Sequence, residues 1–217
     1  MVAESVFRYT YELPIDPVQV GINTCCRIST LVNRADGEFL VKGLVNPASA
    51  NRSPVSTVVP VVTVAPNKVS QFSIPAADPD GDKLQFRLAT DEEAGGGPSP
   101  NGLTINANTG VVTWDTTVFA SRTAGPRHGG EPRPGIDSVH TVQVIIEDLD
   151  SENVVKSSTP VDFILQIGVV IGNPPSIELL TGSSGLVIKA GETLNFSVKA
   201  TDVDVDDTLT IGATGLP

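Results

Sequence analysis

The chain is poor in the residues on which most catalytic and redox chemistry depends. Among 217 residues there are two cysteines, two histidines and one tryptophan. Cys25 and Cys26 are adjacent, and neighbouring side chains on a strand point to opposite faces. A bond between them needs a strained local geometry, so the two are expected to stay unpaired with each other. Two cysteines cannot build a zinc site, and a lone Cys-Cys pair is not a redox motif. Neither His128 nor His140 adjoins a nucleophile motif such as Gly-x-Ser-x-Gly, and Val139 and Thr141 flank His140, which predicts a surface strand position for it.

Other absences narrow the class further. No apolar stretch reaches the roughly 18 residues needed to span a bilayer. The longest, Ile164 to Ile171, is interrupted by Gln166 and Gly168. Met1-Val2-Ala3-Glu4 leads straight into a strand-like segment without a basic and then apolar signal, so an export signal is expected outside this sequence. Helical periodicity is nearly missing, which leaves no glycine loop feeding a helix to cradle phosphate. Cationic residues are scarce as well: 14 Lys and Arg stand against 25 Asp and Glu, a net charge of −11. Nucleic acid and anionic membrane surfaces both need a cationic footprint and are disfavoured as partners. An acidic surface suits divalent cations and solubility outside the cell.

What is present is strand and turn. Val, Ile, Thr and Phe alternate with polar residues in short runs, punctuated by 20 glycines and 17 prolines. In Lys83-Leu84-Gln85-Phe86-Arg87-Leu88 the three apolar residues share one face, so a slip of one residue would expose all of them. Val161 to Ile167 behaves in the same way. The pattern predicts an all-β sandwich.

The chain also repeats itself. Asn51-Arg52-Ser53-Pro54 opens one segment and Gly172-Asn173-Pro174-Pro175 opens another. Phe72 precedes Asp78 by six positions, and Phe196 precedes Asp202 by six, 124 residues further on. A strand, an Asp-rich turn and another strand at matched offsets define a repeated module. Three parts are expected: residues 1–50, with strand-like runs near Val6–Leu13, Val18–Leu31 and Glu38–Val45, as the end of a truncated β domain unless the segment pairs with the adjoining module; residues 51–171 as a complete module; and residues 172–217 as the first half of a second one.

Two long loops interrupt the complete module. Asp91 to Pro98 is acidic and then glycine-rich, and Ser121 to Ser138 carries Arg122, Arg127, His128 and Arg133 among glycines and prolines. Such composition buries too little surface to order itself. Both loops are candidates for ligand contact or for tolerated insertions. The acidic turns are the other candidate sites. Asp78, Asp80 and Asp82 put three carboxylates on one short turn, and Asp202, Asp204, Asp206 and Asp207 do so again. Crowded like charges are costly unless a cation neutralises them, and calcium takes six to eight hard oxygens. The turn is not an EF-hand, since the glycine falls fourth from Asp78 and the twelfth position is Ala89. A polar turn chosen for backbone reasons is the competing reading. Trp114 closes an apolar strand and is expected in the core.

Four stretches together resemble bacterial Ig-like and cadherin-like modules of large surface proteins. They are Ala77 to Asp82, Gly102 to Trp114, Val144 to Asp150, and the Asn173-Pro174-Pro175 joint. The resemblance implies tandem immunoglobulin/cadherin-like Greek-key sandwiches with calcium at the joints. It adds Asp148 and Asp150, the acidic pair before the last strand, and Asp115, after the Thr-Gly hairpin, to the metal-ligand set of Asp78, Asp80, Asp82, Asp202, Asp204 and Asp206. The joint at residues 172–175 has no carboxylate, so one ion or none is expected there. The function implied is a non-catalytic structural or adhesive module, extracellular or on a cell surface. Its expected partners are neighbouring modules of the array, or a surface protein or glycan. The alternative is a ligand-binding accessory module of a secreted enzyme.

Overall fold

A computed structural model describes residue 10 and residues 16–47, 51–119, 138–168, 175–180 and 195–202. The chain divides into two compact units, Met1–Val169 with Thr214–Pro217, and Val170–Ala213. Among the described residues there is no α-helix, and none long and apolar enough to cross a membrane.

In the first unit two strands come from the N-terminal segment, β1 (Val18–Thr24) and β2 (Phe39–Val45). The next stretch supplies β3 (Val55–Ser56), β4 (Val61–Val64), β5 (Val69–Ser73), β6 (Ala76–Ala77) and β7 (Lys83–Leu88). After these come β8 (Leu103–Ile105), β9 (Val111–Asp115), a 3₁₀ turn (Thr116–Phe119), and the long pair β10 (Val139–Leu149) and β11 (Val155–Ile167). One sheet runs β1-β2-β11-β10-β7, with β4 parallel to β11; a second runs β5-β9-β8, and β3 pairs with β6. The second unit shows β12 (Ser176–Leu179) antiparallel to β13 (Val198–Thr201).

The alternation read from the sequence sets the core. Phe86 of β7 is buried, with Leu84 and Leu88 packed beside it, while Lys83 is exposed. Val142, Val144 and Ile146 of β10 and Phe163, Leu165 and Ile167 of β11 face the second sheet, where Val112 and Trp114 are fully buried. Period-two geometry delivers these side chains to a single layer between the sheets. Trp114 also donates its indole N–H to the Asn101 carbonyl at 3.0 Å, so its polar end is satisfied.

β10 is buried on both faces. Its outward residues Thr141, Gln143, Ile145 and Glu147 are covered by the chain from Arg27 to Leu40 and by the loop at residues 90–98. The anchor is Arg27, 7% exposed, whose Nη1 and Nη2 grip the two oxygens of Asp162 at 3.0 and 2.7 Å. Its Nε donates to the Glu38 carbonyl, its Nη1 also reaches Thr141, and its guanidinium lies 5.0 Å over the Phe39 ring. Asn33 exchanges hydrogen bonds with the backbone of Thr141, and Gln143 donates to the Leu40 carbonyl.

The structure changes four expectations. The described residues of the 1–50 segment do not stand as the tail of another domain: β2 pairs with β11 at Leu44 and Ser158, and Arg27 and Asn33 fill polar positions that β10 and β11 leave open. The Asp91–Pro98 loop is ordered despite its composition, because it has partners outside itself. Ala94 is fully buried, Asn33 binds the Pro98 carbonyl, and Glu93 pairs with Arg87 and caps the Thr90 amide. The Arg87 guanidinium holds the Glu93 carboxyl down to about 2. His140 is 1% exposed, not on the surface, because alternation puts it on the core side with Val142, its ring 5.1 Å edge-on from Trp114. Cys25 and Cys26 are joined to each other by a disulfide. The Ser121–Ser138 loop lies outside the described residues apart from Ser138.

Candidate metal centre

The turn between β6 and β7 forms around Asp78. Its Oδ1 accepts the amides of Asp80 and Asp82 at 2.8 and 3.0 Å, and its carbonyl accepts that of Gly81, whose φ of +80° only glycine takes without strain. The carboxylates of Asp78, Asp80 and Asp82 consequently offer oxygens within 4.8 Å of one another.

Two cations of the chain share this cluster. Arg52 donates its backbone amide to Asp80 at 2.6 Å and its Nε at 2.8 Å. That backbone bond, then the guanidinium, draws the Asp80 carboxyl below its ordinary range. Lys156 is bonded to Asp82, which raises the pKa of its ammonium, with Asp148 and Asp80 acting in the same direction.

Asp148 lies beneath the cluster and is fully buried at the end of β10. Its Oδ1 accepts the amide and hydroxyl of Ser157 at 2.6 and 2.8 Å, and its Oδ2 accepts Asn51 Nδ2 at 2.6 Å. The shift in register between β10 and β11 at Asp148/Leu149 gives the carboxylate this access to the Ser157 amide. Near this turn two oxygens, Asp78 Oδ2 and Asn51 Oδ1, are buried without a partner among the described residues. Carboxylate and amide oxygens are the hard donors that calcium prefers, and a buried acceptor left unmatched is costly. The donor chemistry of Asp78, Asp80 and Asp82 therefore suits one divalent cation, with Asn51 next to Arg52, which binds Asp80.

The other acidic residues of the expected set are placed elsewhere. Asp150 turns the β10–β11 hairpin by accepting the amides of Glu152 and Val154 at 2.9 and 2.8 Å. Asp115 accepts the amide and hydroxyl of Thr117 and so opens the 3₁₀ turn. Both are local backbone caps. Asp202 belongs to the second unit, and Asp204 and Asp206 lie outside the described residues. Asn51, Ser157, Arg52 and Lys156 were not among the expected site residues. Only Asn51 carried a signal, as the opening residue of a segment whose counterpart opens with Gly172-Asn173.

A second concavity lies on the outer face, a cleft of about 490 Å³ between β2, Glu92–Glu93 and β10. Leu40, Leu44, Ile145 and Val155 line it with Lys42, Arg87 and Glu147, and no aromatic ring is among its described lining residues.

Residues 53–125 match the family described as "Putative Ig domain", which supports an Ig-like repeat module over this stretch. Two curated proteins of Dictyostelium discoideum are similar. Integrin beta-like protein A is 32% identical over 128 residues, covering 51% of this chain and 6% of that protein. Integrin beta-like protein E is 38% identical over 101 residues, covering 44% and 5%. The chain thus spans about a twentieth of the length of these relatives. A solved structure, a "putative alpha-galactosidase" from Bacteroides fragilis, aligns over 54% of this chain and 18% of its own, at 14% identity and a TM-score of 0.32. That overlap is too slight to carry an argument.

Proposed function

We propose that the chain is a non-catalytic structural or adhesive segment of a large surface protein, stiffened by one calcium ion at the Asp78 turn. The observation that carries the metal reading is the pair of buried, unmatched oxygens, Asp78 Oδ2 and Asn51 Oδ1, beside a turn of carboxylates. Arg52 and Lys156 answer two of the three clustered carboxylates and leave Asp78 without a cation from the described residues. When bound, the ion supplies the neutralising charge. Asn51, the Asp78 turn and the end of β10 then hold to one another through it, and the start of the module is fixed to its last hairpin. The names of the Dictyostelium relatives support an adhesive setting at a cell surface.

Catalysis finds little support in the placement of the ionisable groups. Glu147 and Asp162 are tied to Arg87 and Arg27, and the remaining clustered carboxylates share one turn rather than facing each other across a cleft. Sugar binding lacks an aromatic platform in the outer cleft.

Thermal unfolding in excess EDTA and then in millimolar calcium tests the reading. Calcium binds the folded state alone, so the midpoint should rise by several degrees, with stabilisation of about 2.7 kcal/mol at a hundredfold excess over Kd. Asp78→Ala should abolish the rise. Equal midpoints in EDTA and calcium would leave a metal-free spacer, with Arg52 and Lys156 as the only counter-charges.

A further inference from the structure

We propose that Arg34 binds a small inorganic anion, sealed between the turn at residues 32–36 and the glycine loop at residues 95–97. Arg34 is 5% exposed, and its Nε donates to the Gly97 carbonyl at 2.8 Å. Nη1 and Nη2 are buried and have no hydrogen-bond partner among the described residues. The neighbouring Arg27 is matched, because the Asp162 carboxylate meets it with both oxygens. Two buried guanidinium groups therefore share one buried carboxylate, and that carboxylate is already engaged. Asp91, the other acid whose charge acts on Arg34, is exposed and makes no bond to it among the described residues.

The charge balance selects the ligand. A water molecule could accept from Nη1 or Nη2 but would leave a buried cation without a counter-charge, which is strongly unfavourable. An anion supplies both acceptor and charge, and the planar fork of Nη1 and Nη2 suits a single acceptor between them. Its size is limited by the loop. A Cβ at Gly97, where φ is +79°, would lie 3.0 Å from Arg34 Cγ and 3.0 Å from the Asn33 carbonyl. The loop is thus pressed against the arginine stem, and a monatomic anion such as chloride fits better than phosphate or a peptide carboxylate. The site is independent of the calcium reading and lies on the opposite face of β10 from the core.

The test uses the whole chain at constant ionic strength, with chloride exchanged for gluconate. The expected result is a saturable rise of several degrees in the unfolding midpoint with chloride, absent in Arg34→Met and retained in Asp91→Asn. Equal midpoints in the two anions for the unaltered chain would overturn the proposal, and a chloride response that appears only in Asp91→Asn would do so by making Asp91 the partner. Should Arg34→Met fail to fold, crystals of the unaltered protein grown in bromide decide the matter. An anomalous peak at about 3.3 Å from the Arg34 Nη atoms supports an anion, and a site without one is water only.

Discussion

Asp148 has no exposed surface, yet both its oxygens are taken, by Ser157 and Asn51. Replacing it by alanine leaves the Ser157 amide without its acceptor and removes one of the two bonds of the Asn51 Nδ2, which costs about 2–6 kcal/mol when each lost partner is counted at 1–3. Urea unfolding should show this drop with or without calcium, whereas Asp78→Ala should cost about 1–2 kcal/mol in EDTA, for the two amides its Oδ1 accepts, and more in calcium. His140 gives a second test at the scale of one residue. Burial lowers its pKa to about 4, below the 6.5 of an exposed histidine. Between those values the unfolded chain takes up a proton that the folded chain refuses. Its contribution is fully present above pH 6.5 and is lost as pH falls towards 4, on the order of 3 kcal/mol. His140→Phe should flatten the pH dependence of the urea midpoint across that window.

At the scale of elements, the strap at residues 27–40 and the sheet depend on one ion pair. Arg27→Met leaves the Asp162 carboxylate buried without its cation, and breaking such a pair costs roughly 3–5 kcal/mol. The double variant Arg27→Met with Asp162→Leu should recover much of that loss, because it removes the stranded charge along with the bond. Denaturant unfolding of the four members of the cycle measures the coupling. A second element-scale prediction concerns the hairpin before β9. Gly110 has φ +66°, and a Cβ there would come 2.8 Å from the Phe86 ring. Gly110→Ala should destabilise by about 1–3 kcal/mol, through a disfavoured backbone and a crowded core together.

At the scale of the whole molecule, the question is where a stable unit begins. Residues 51–171 alone would uncover Gln143, Ile145 and Asp162 on the outer face of β10 and β11. That fragment should bind a hydrophobic dye and show a lower, broader unfolding transition than the intact chain. An equally sharp transition at the same midpoint would mean that the N-terminal strands contribute nothing to folding. Calcium should stabilise both forms alike, since the Asp78 cluster and Asn51 lie on the same side of the cut.

The sequence by itself determined the fold class, the face each core strand buries and the acidic turn. All three come from local periodicity: alternation in Lys83–Leu88 and Val161–Ile167 sorts side chains between core and solvent, and aspartate and glycine at residues 78–82 favour a tight turn. The tertiary structure decided which acidic residues meet. Asn51 and Asp148 are 97 positions apart, and only the β10–β11 register and the path into β3 bring them together. Asp115 and Asp150 look equivalent to Asp148 in the sequence but spend their oxygens on nearby amides. The strap was illegible for the same reason. Arg27 and Asp162 are 135 residues apart, and a polar residue facing outward on a strand looks the same whether water or another part of the chain covers it.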